Sequence, residues 1–325
     1  MIRLGIVCPC YNEQEVLMLS AKHLTALLDD LHAKQKISAN SFVLLVNDGS
    51  SDNTWNIIRQ LHETNPYFKG VNLAKNVGHQ HAIMAGMMTA KEYCDAVITI
   101  DADLQDDLNA IEKMIDHYSE GYDIVYGVKK SREGDSFMKK TSAMAFYKLQ
   151  HIMGIKTIYN HADFRLMSKR ALEQLSHYGE RNLYLRGLIP MIGYRSTEVD
   201  DFIRCREAGH SKYTLKKMLA LAIDGITSFS TKPISLIVGC GLFCLLISII
   251  MFIYVLCSYI EHFAVPGWPS IMLSIWFIGG LLLLSIGVIG EYIGKIYIEV
   301  KHRPLYNIEQ ILWDEKENSH DKTAD

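Results

Sequence analysis

The chain has no surplus of basic charge. Among 325 residues, 33 Lys and Arg stand against 36 Asp and Glu, a formal net charge of -3, so nothing marks a nucleic-acid partner. Glycine-rich phosphate loops are missing too: neither GxGxxG nor GxxxxGK[ST] occurs, which argues against a dehydrogenase or a P-loop kinase. The seven cysteines supply no framework. Cys8 and Cys10 are too close for a zinc knuckle and share one strand face, Cys94 and Cys205 are isolated, and Cys240, Cys244 and Cys257 lie in an apolar run. Structural thiols in a reducing compartment fit this usage better than disulfides or metal ligands. No cleavable leader is read before the first strand, because Met1-Ile2-Arg3 runs directly into LGIVCPCYNE. The amino-terminal domain is therefore expected in the cytoplasm.

Charge is absent from two long stretches, 234–259 and 270–290, where the surplus of apolar residues is concentrated. A bilayer core needs about 20 apolar residues of helix, so each is expected to span. Lys212, Lys216, Lys217 and Lys232 precede the first span, Lys295, Lys301 and Arg303 follow the second, and the loop 261–269 has no Lys or Arg. The positive-inside rule then puts both ends in the cytoplasm, a multi-pass hairpin in the cell membrane. Between the soluble part and the first span, Leu215, Met218, Leu219, Ala222, Ile226 and Phe229 recur at helical spacing beside Lys216 and Lys217. That reads as an amphipathic interfacial helix, with a core-facing helix as the alternative. The expected organisation is a catalytic domain over 1–210, a juxtamembrane helix over 211–232, the hairpin over 233–294 and a cytoplasmic segment over 295–325. The polar tail after Asn307 is expected to fray.

In the first domain, short apolar runs at 4–8, 42–46, 70–73, 96–100 and 123–127 alternate with helical patterns at 13–34, 53–63, 79–93 and 107–119. This predicts an α/β fold with a parallel sheet covered on both faces, whose ligands bind beyond the carboxyl ends of the strands. Polar motifs stand at those ends: Pro9-Cys10-Tyr11-Asn12-Glu13 after the first strand, Asn47-Asp48-Gly49-Ser50-Ser51-Asp52 after the second, Asp101-Ala102-Asp103-Leu104-Gln105-Asp106 after the fourth. Each alone is compatible with turn and cap chemistry, but three at one sheet edge point to a site. Asp101 and Asp103 follow a buried strand, where two carboxylates are costly unless neutralised. A Mg²⁺ or Mn²⁺ ion bridging them to a diphosphate would do that, and this favours a metal-bound nucleotide sugar.

The ordered series PCYNEQE, VNDGSSDNT, NVGHQHAIMAGM, DADLQD, DFRLMS, RNLYLRG, SKY, DGITSFS and EVKHRPLY resembles the family 2 glycosyltransferases over nearly the whole chain. Within that family it is similar to the polyprenyl-phosphate glycosyltransferases, which include bactoprenol glucosyltransferases and dolichol-phosphate mannose synthases. The resemblance implies a GT-A fold (a Rossmann-like nucleotide-diphospho-sugar transferase) and inverting transfer of one sugar, from UDP-glucose or UDP-N-acetylglucosamine, to undecaprenyl or another polyprenyl phosphate. It implies that Pro9 and Tyr11 frame the base, with Asp48 bonding it and Asn12 and Glu13 nearby, and that Asn76, Gly78 and Ala102 line the donor pocket. Asp101, Asp103 and Gln105 would hold the metal. Asp103 and Asp163 would be the catalytic pair, Asp163 working near the acceptor. Its alternatives are a helix cap or an ion pair with Arg165.

For the acceptor phosphate the candidates are Lys129, Arg132 and Lys140 after the fifth strand, and Arg206, Ser211 and Lys212 before the interfacial helix. Relatives often carry Glu at position 210 and Pro at 214; here these are His210 and Thr214. His79 and His81 read as polar residues of a helix start, with no assigned role. Implied partners are the nucleotide-sugar donor, the lipid phosphate, the membrane, a second copy of the chain, and a flippase with a downstream transferase. A processive polysaccharide synthase lacks support, since no Gln-x-x-Arg-Trp element or multi-span channel is present. A catalytically silent membrane scaffold is the remaining alternative.

Overall fold

The computed structural model describes residues 1–129, 161–181, 183–202 and 267–313, with scattered positions between 234 and 250. Residues 1–129, 161–202 and 303–313 belong to one compact unit, and 267–302 to another. The first unit is built on β1 (Leu4–Cys10), α1 (Leu17–Ala33), β2 (Phe42–Asn47), α2 (Thr54–Thr64), β3 (Phe68–Leu73), α3 (His79–Ala90), β4 (Ala96–Thr99), α4 (Asn109–Ser119) and β5 (Ile124–Lys129). There follow β6 (His161–Ser168), α5 (Lys169–Ser176), α6 (Leu185–Met191), β7 (Ser196–Asp201) and β8 (Ile308–Leu312).

All seven residues of β1 and all six of β2 are buried, as near-continuous apolar strands must be when helices cover both sheet faces. α1 buries Leu17, Ala21, Leu24, Leu28 and Leu31, one stripe at helical spacing. On α3, Gly86 lets helix and sheet approach closely: a Cβ there would lie 2.3 Å from Val7 Cγ1. Cys8, Cys10 and Cys94 are buried free thiols.

The sheet has eight strands in the order β7-β5-β6-β4-β1-β2-β3-β8. β1 pairs in parallel with β2 and β4, and β2 with β3, as expected. The sheet as a whole is nevertheless mixed. β6 runs antiparallel between β4 and β5, and β8 antiparallel along β3. β6 escapes a reading by pattern because Arg165 interrupts its apolar run; the guanidinium is only 1% exposed, compensated by Asp163.

The tail does not fray through 308–313. Asn72 Nδ2 donates to Glu309 Oε2 at 2.8 Å, and Ala74 N–H donates to the Asn307 carbonyl at 2.9 Å. Trp313 stacks on Tyr93 at 4.1 Å and meets Phe42 edge-on at 4.9 Å. Backbone pairing and aromatic packing outweigh the polar composition that suggested disorder.

In the second unit, α7 (Trp268–Val300) is one continuous helix of 33 residues. Its stretch Phe277–Val300 is long and apolar enough to cross a membrane, and none of it is buried in the protein. The helix runs about ten residues past the uncharged stretch, carrying Glu291, Lys295 and Glu299 in its last turns. Among the described residues it is the one such helix. The expected first span, apart from scattered positions, and the interfacial helix lie outside the described residues.

Candidate active site

The carboxyl ends of β1, β2 and β4, with the loop after β3, open onto one cavity of about 820 Å³. Pro9, Tyr11, Asn12 and Glu13 come to it from β1, and Asp48 from β2. Asn76 and Gly78 reach it from the loop before α3, Asp101, Ala102 and Asp103 from the end of β4, and Asp163 from β6. Every nucleotide-sugar candidate named from the sequence is thus brought to one place. Gln105 is half-buried; its N–H donates to Asp103 Oδ1 at 3.3 Å, but its side chain is not among the lining groups.

The loops fit together through local chemistry. Asn12, with φ of 55°, accepts the Ser51 N–H on its side-chain oxygen at 2.9 Å and donates its own N–H to Ser50 Oγ at 3.0 Å. Gly49, φ 60°, has no room for a side chain, since a Cβ would fall 2.4 Å from the Asn76 nitrogen. Asp48, 2% exposed, accepts N–H groups from Val77 at 2.7 Å and Gly78 at 3.0 Å, and Asn76 Nδ2 at 3.1 Å. Burial pushes its carboxyl up, against the pull of those amides. In this structure Asp48 therefore organises the 76–78 loop that lines the cavity.

At the end of β4, Ser20 Oγ donates to the Ala102 carbonyl at 2.6 Å, and Leu104 adopts the left-handed region with φ of 46°. A leucine there costs about 1–2 kcal/mol, so the loop is held by its surroundings. Burial raises the Asp101 carboxyl to about 6; the His79 charge opposes this, while Asp106, Asp163 and Asp103 reinforce it. Asp101 and Asp103 offer hard oxygen donors in an acid-rich pocket, the donor set that suits Mg²⁺ or Mn²⁺ together with phosphate oxygens.

Asp163 has the most compensated charge in the site. Its Oδ1 lies 2.6 Å from Arg165 Nη2, its Oδ2 3.0 Å from Arg186 Nη2, and His79 Nε2 is 3.5 Å from that same oxygen. Burial would raise its pKa, but Arg186, His79 and Arg165 together hold it well below the usual carboxylate range. The ion pair with Arg165 is present, and Asp163 also lines the cavity. His79 Nε2 is also 3.5 Å from Asp101 Oδ1. Burial lowers the His79 pKa, but the hydrogen bond with Asp163 and the Asp101 charge outweigh it and raise it.

Neither His79 nor Arg186 had a role from sequence, although both stand in quoted motifs. Their signal was positional: His79 opens α3 directly after the loop Asp48 holds, and Arg186 stands in the first turn of α6. Of the acceptor-phosphate candidates, Lys129 ends β5 with its ammonium 3.2 Å from Asp106 Oδ1. Arg132, Lys140, Arg206, Ser211 and Lys212 lie outside the described residues.

This mixed sheet with its acidic cleft is a GT-A-like fold, and the model of glycosyl transferase family 2 matches residues 5–176. The chain belongs to that family. It is 49% identical over 96% of its length to the uncharacterized glycosyltransferase YkoT of Bacillus subtilis, covering 93% of that protein. It is 37% identical over 94% of its length to the bactoprenol glucosyl transferase of Shigella phage SfV, covering 98% of it. Among solved structures, the mannosyltransferase PcManGT of Pyrobaculum calidifontis, in complex with GDP-Man and Mn²⁺, aligns with 91% of the chain and 85% of its own, at 16% identity and a TM-score of 0.45.

Proposed function

We propose that this glycosyltransferase moves one glucose from UDP-glucose to a polyprenyl phosphate at the cytoplasmic face of the membrane, with inversion at the anomeric carbon. The observation that carries the reading is the convergence of Asp101, Asp103 and the clamped Asp163 on one cavity wide enough for a nucleotide sugar. The relatives named for bactoprenol glucosyl transfer support the acceptor and favour glucose over N-acetylglucosamine as donor. A long apolar helix in α7 supports membrane attachment, and the reading takes the chain as multi-pass, with 234–259 as a second span.

In this reading Pro9, Tyr11, Asn12 and Glu13 enclose the nucleoside, with Asp48 fixing the loop of Asn76 and Gly78 beside it. Asp101 and Asp103, the latter held by the Gln105 N–H, would hold Mg²⁺ or Mn²⁺, which when bound neutralises the diphosphate and stabilises its departure. The acceptor needs no strong base. A phosphate monoester has a second pKa of about 6 and is largely dianionic at neutral pH. Its oxygen bonds to the anomeric carbon as the bond to the diphosphate oxygen breaks, and UDP departs with that electron pair. Asp163, kept ionised by two guanidiniums, is a poor proton acceptor; it orients Arg186 and His79 toward the reacting groups. Lys129, Arg132, Arg206, Ser211 and Lys212 are the residues assigned to the incoming phosphate.

The test is mass spectrometry of the lipid product after purified full-length protein meets polyprenyl phosphate, Mg²⁺ and pooled UDP- and GDP-sugars. A single added hexose with release of UDP is expected. No glycolipid from any donor would overturn the proposal and leave a silent scaffold as the better reading.

A further inference from the structure

A second charged cluster joins Lys129 to two carboxylates that have no role so far, Asp106 and Asp201. Asp106 and Asp201 are 2% and 0% exposed. Asp106 follows directly on the Asp101–Gln105 stretch, and its Oδ1 forms an ion pair with Lys129 Nζ at 3.2 Å. Asp201 ends β7, and its Oδ1 accepts the Asp107 N–H at 2.8 Å. Lys129 and Asp201 are register partners at the ends of the parallel pair β5 and β7. Two strand ends thus grip the far end of the loop whose near end carries Asp101 and Asp103.

Two buried carboxylates beside one ammonium are an expensive arrangement to maintain without a task. The loop they hold contains Leu104 in the left-handed region, a conformation that persists only where its surroundings over-determine it. Ser20 fixes the near side of that loop through the Ala102 carbonyl, and Asp201 fixes the far side through the Asp107 amide. Lys129, by contrast, is 27% exposed on its side chain and begins the stretch leading to Arg132.

We propose that Asp106 and Asp201 are positioning residues that lock the metal-binding loop and the acceptor-side lysine into one unit, so that donor and acceptor sites are set together. Asp201 sets the loop through the Asp107 amide, and Asp106 aims Lys129. The cluster couples the two halves of the reaction without touching either substrate. This rests on the function proposed above.

The experiment uses the full chain in detergent, with Mn²⁺ binding in the presence of UDP measured by calorimetry, steady-state kinetics for the lipid acceptor, and thermal unfolding. Asp201→Ala is expected to weaken Mn²⁺ binding by about 10- to 100-fold, the usual cost of losing a partner that orients a metal site. Asp201→Asn, which keeps an oxygen acceptor for Asp107, should restore it to near the wild-type value. Asp106→Asn should raise the acceptor KM roughly tenfold, the effect of one misplaced charge-assisted contact, with a smaller change in kcat. If Asp201→Ala does not fold, Asp106→Asn still decides the acceptor arm.

Variants that lower only the unfolding temperature, with Mn²⁺ affinity and acceptor KM unchanged, would show a merely structural cluster and overturn the inference. A wild-type protein that neither binds Mn²⁺ with UDP nor glycosylates lipid phosphate would instead overturn the proposed function, and the inference with it.

Discussion

Replacing Asp163 by Asn removes one charge from a cluster that needs it. Arg165 is 1% exposed and pairs with Asp163 at 2.6 Å; Arg186 pairs with the other oxygen at 3.0 Å. The amide keeps the shape but leaves two guanidiniums facing each other, one in the interior. Breaking a buried pair this way costs about 3–5 kcal/mol. For a compact unit of this size each kcal/mol moves Tm by about 2–4 °C, so Asp163→Asn should unfold roughly 6–20 °C lower. The assay is thermal unfolding in detergent followed by tryptophan fluorescence, beside UDP release with lipid phosphate.

A second change, Arg165→Met, removes the stranded charge and should recover most of the lost stability, because an apolar replacement of a buried pair is close to neutral. Transfer should stay lost in both proteins, since Arg186 and His79 lose their common anchor. The acid side gives a further check. The folded pKa of Asp163 lies below its unfolded value, so its stabilisation is present above about pH 4 and is lost as pH falls through the folded pKa. Asp163→Asn should therefore show a shallower loss of stability below pH 4 than wild type. A variant melting within about 2 °C of wild type, or one that transfers sugar at a near-normal rate, would refute the reasoning.

Asp103→Ala should abolish transfer while leaving the fold intact by circular dichroism, and EDTA should silence the wild type until Mg²⁺ or Mn²⁺ is restored. Trp313→Ala removes a ring stacked at 4.1 Å on Tyr93 and edge-on to Phe42, and should cost about 2 kcal/mol in thermal unfolding with little change in acceptor KM. Gly86→Ala puts a methyl 2.3 Å from Val7 Cγ1 and 2.8 Å from Val46 Cγ2, so it should destabilise by about 1–3 kcal/mol, again visible as a lower Tm.

The five expected strands and four expected helices of the first 129 residues are all found, because their apolar runs are dense and their polar motifs fall at strand ends. Proximity was legible where it followed from topology: Pro9, Asp48 and Asp101 had to meet if three parallel strands ended on one edge. The surroundings of Asp163 were not. Arg186 and His79 approach it from distant segments, and no local pattern says that three basic groups converge on one carboxylate. β6 hid behind a buried arginine, and β8 behind Glu309 and Gln310 and the polar tail that follows. Its Ile308, Ile311 and Leu312 gain their worth only from β3, paired across more than two thirds of the chain. Lys129 was read as a phosphate ligand from its position after a strand; its pairing with the buried Asp106 needed coordinates.

The late arrival of β8 has a bearing on biosynthesis. A ribosome releases β3 early and β8 only near the end, after the whole of α7, an interval on the order of 10 s or more at ordinary elongation speeds. Until then the rim of β3 presents open amide and carbonyl groups, a template for wrong partners. The nascent enzyme must wait for its apolar helix to be made before its own sheet can be sealed, so synthesis of α7 and completion of the sheet are ordered in time by the chain itself.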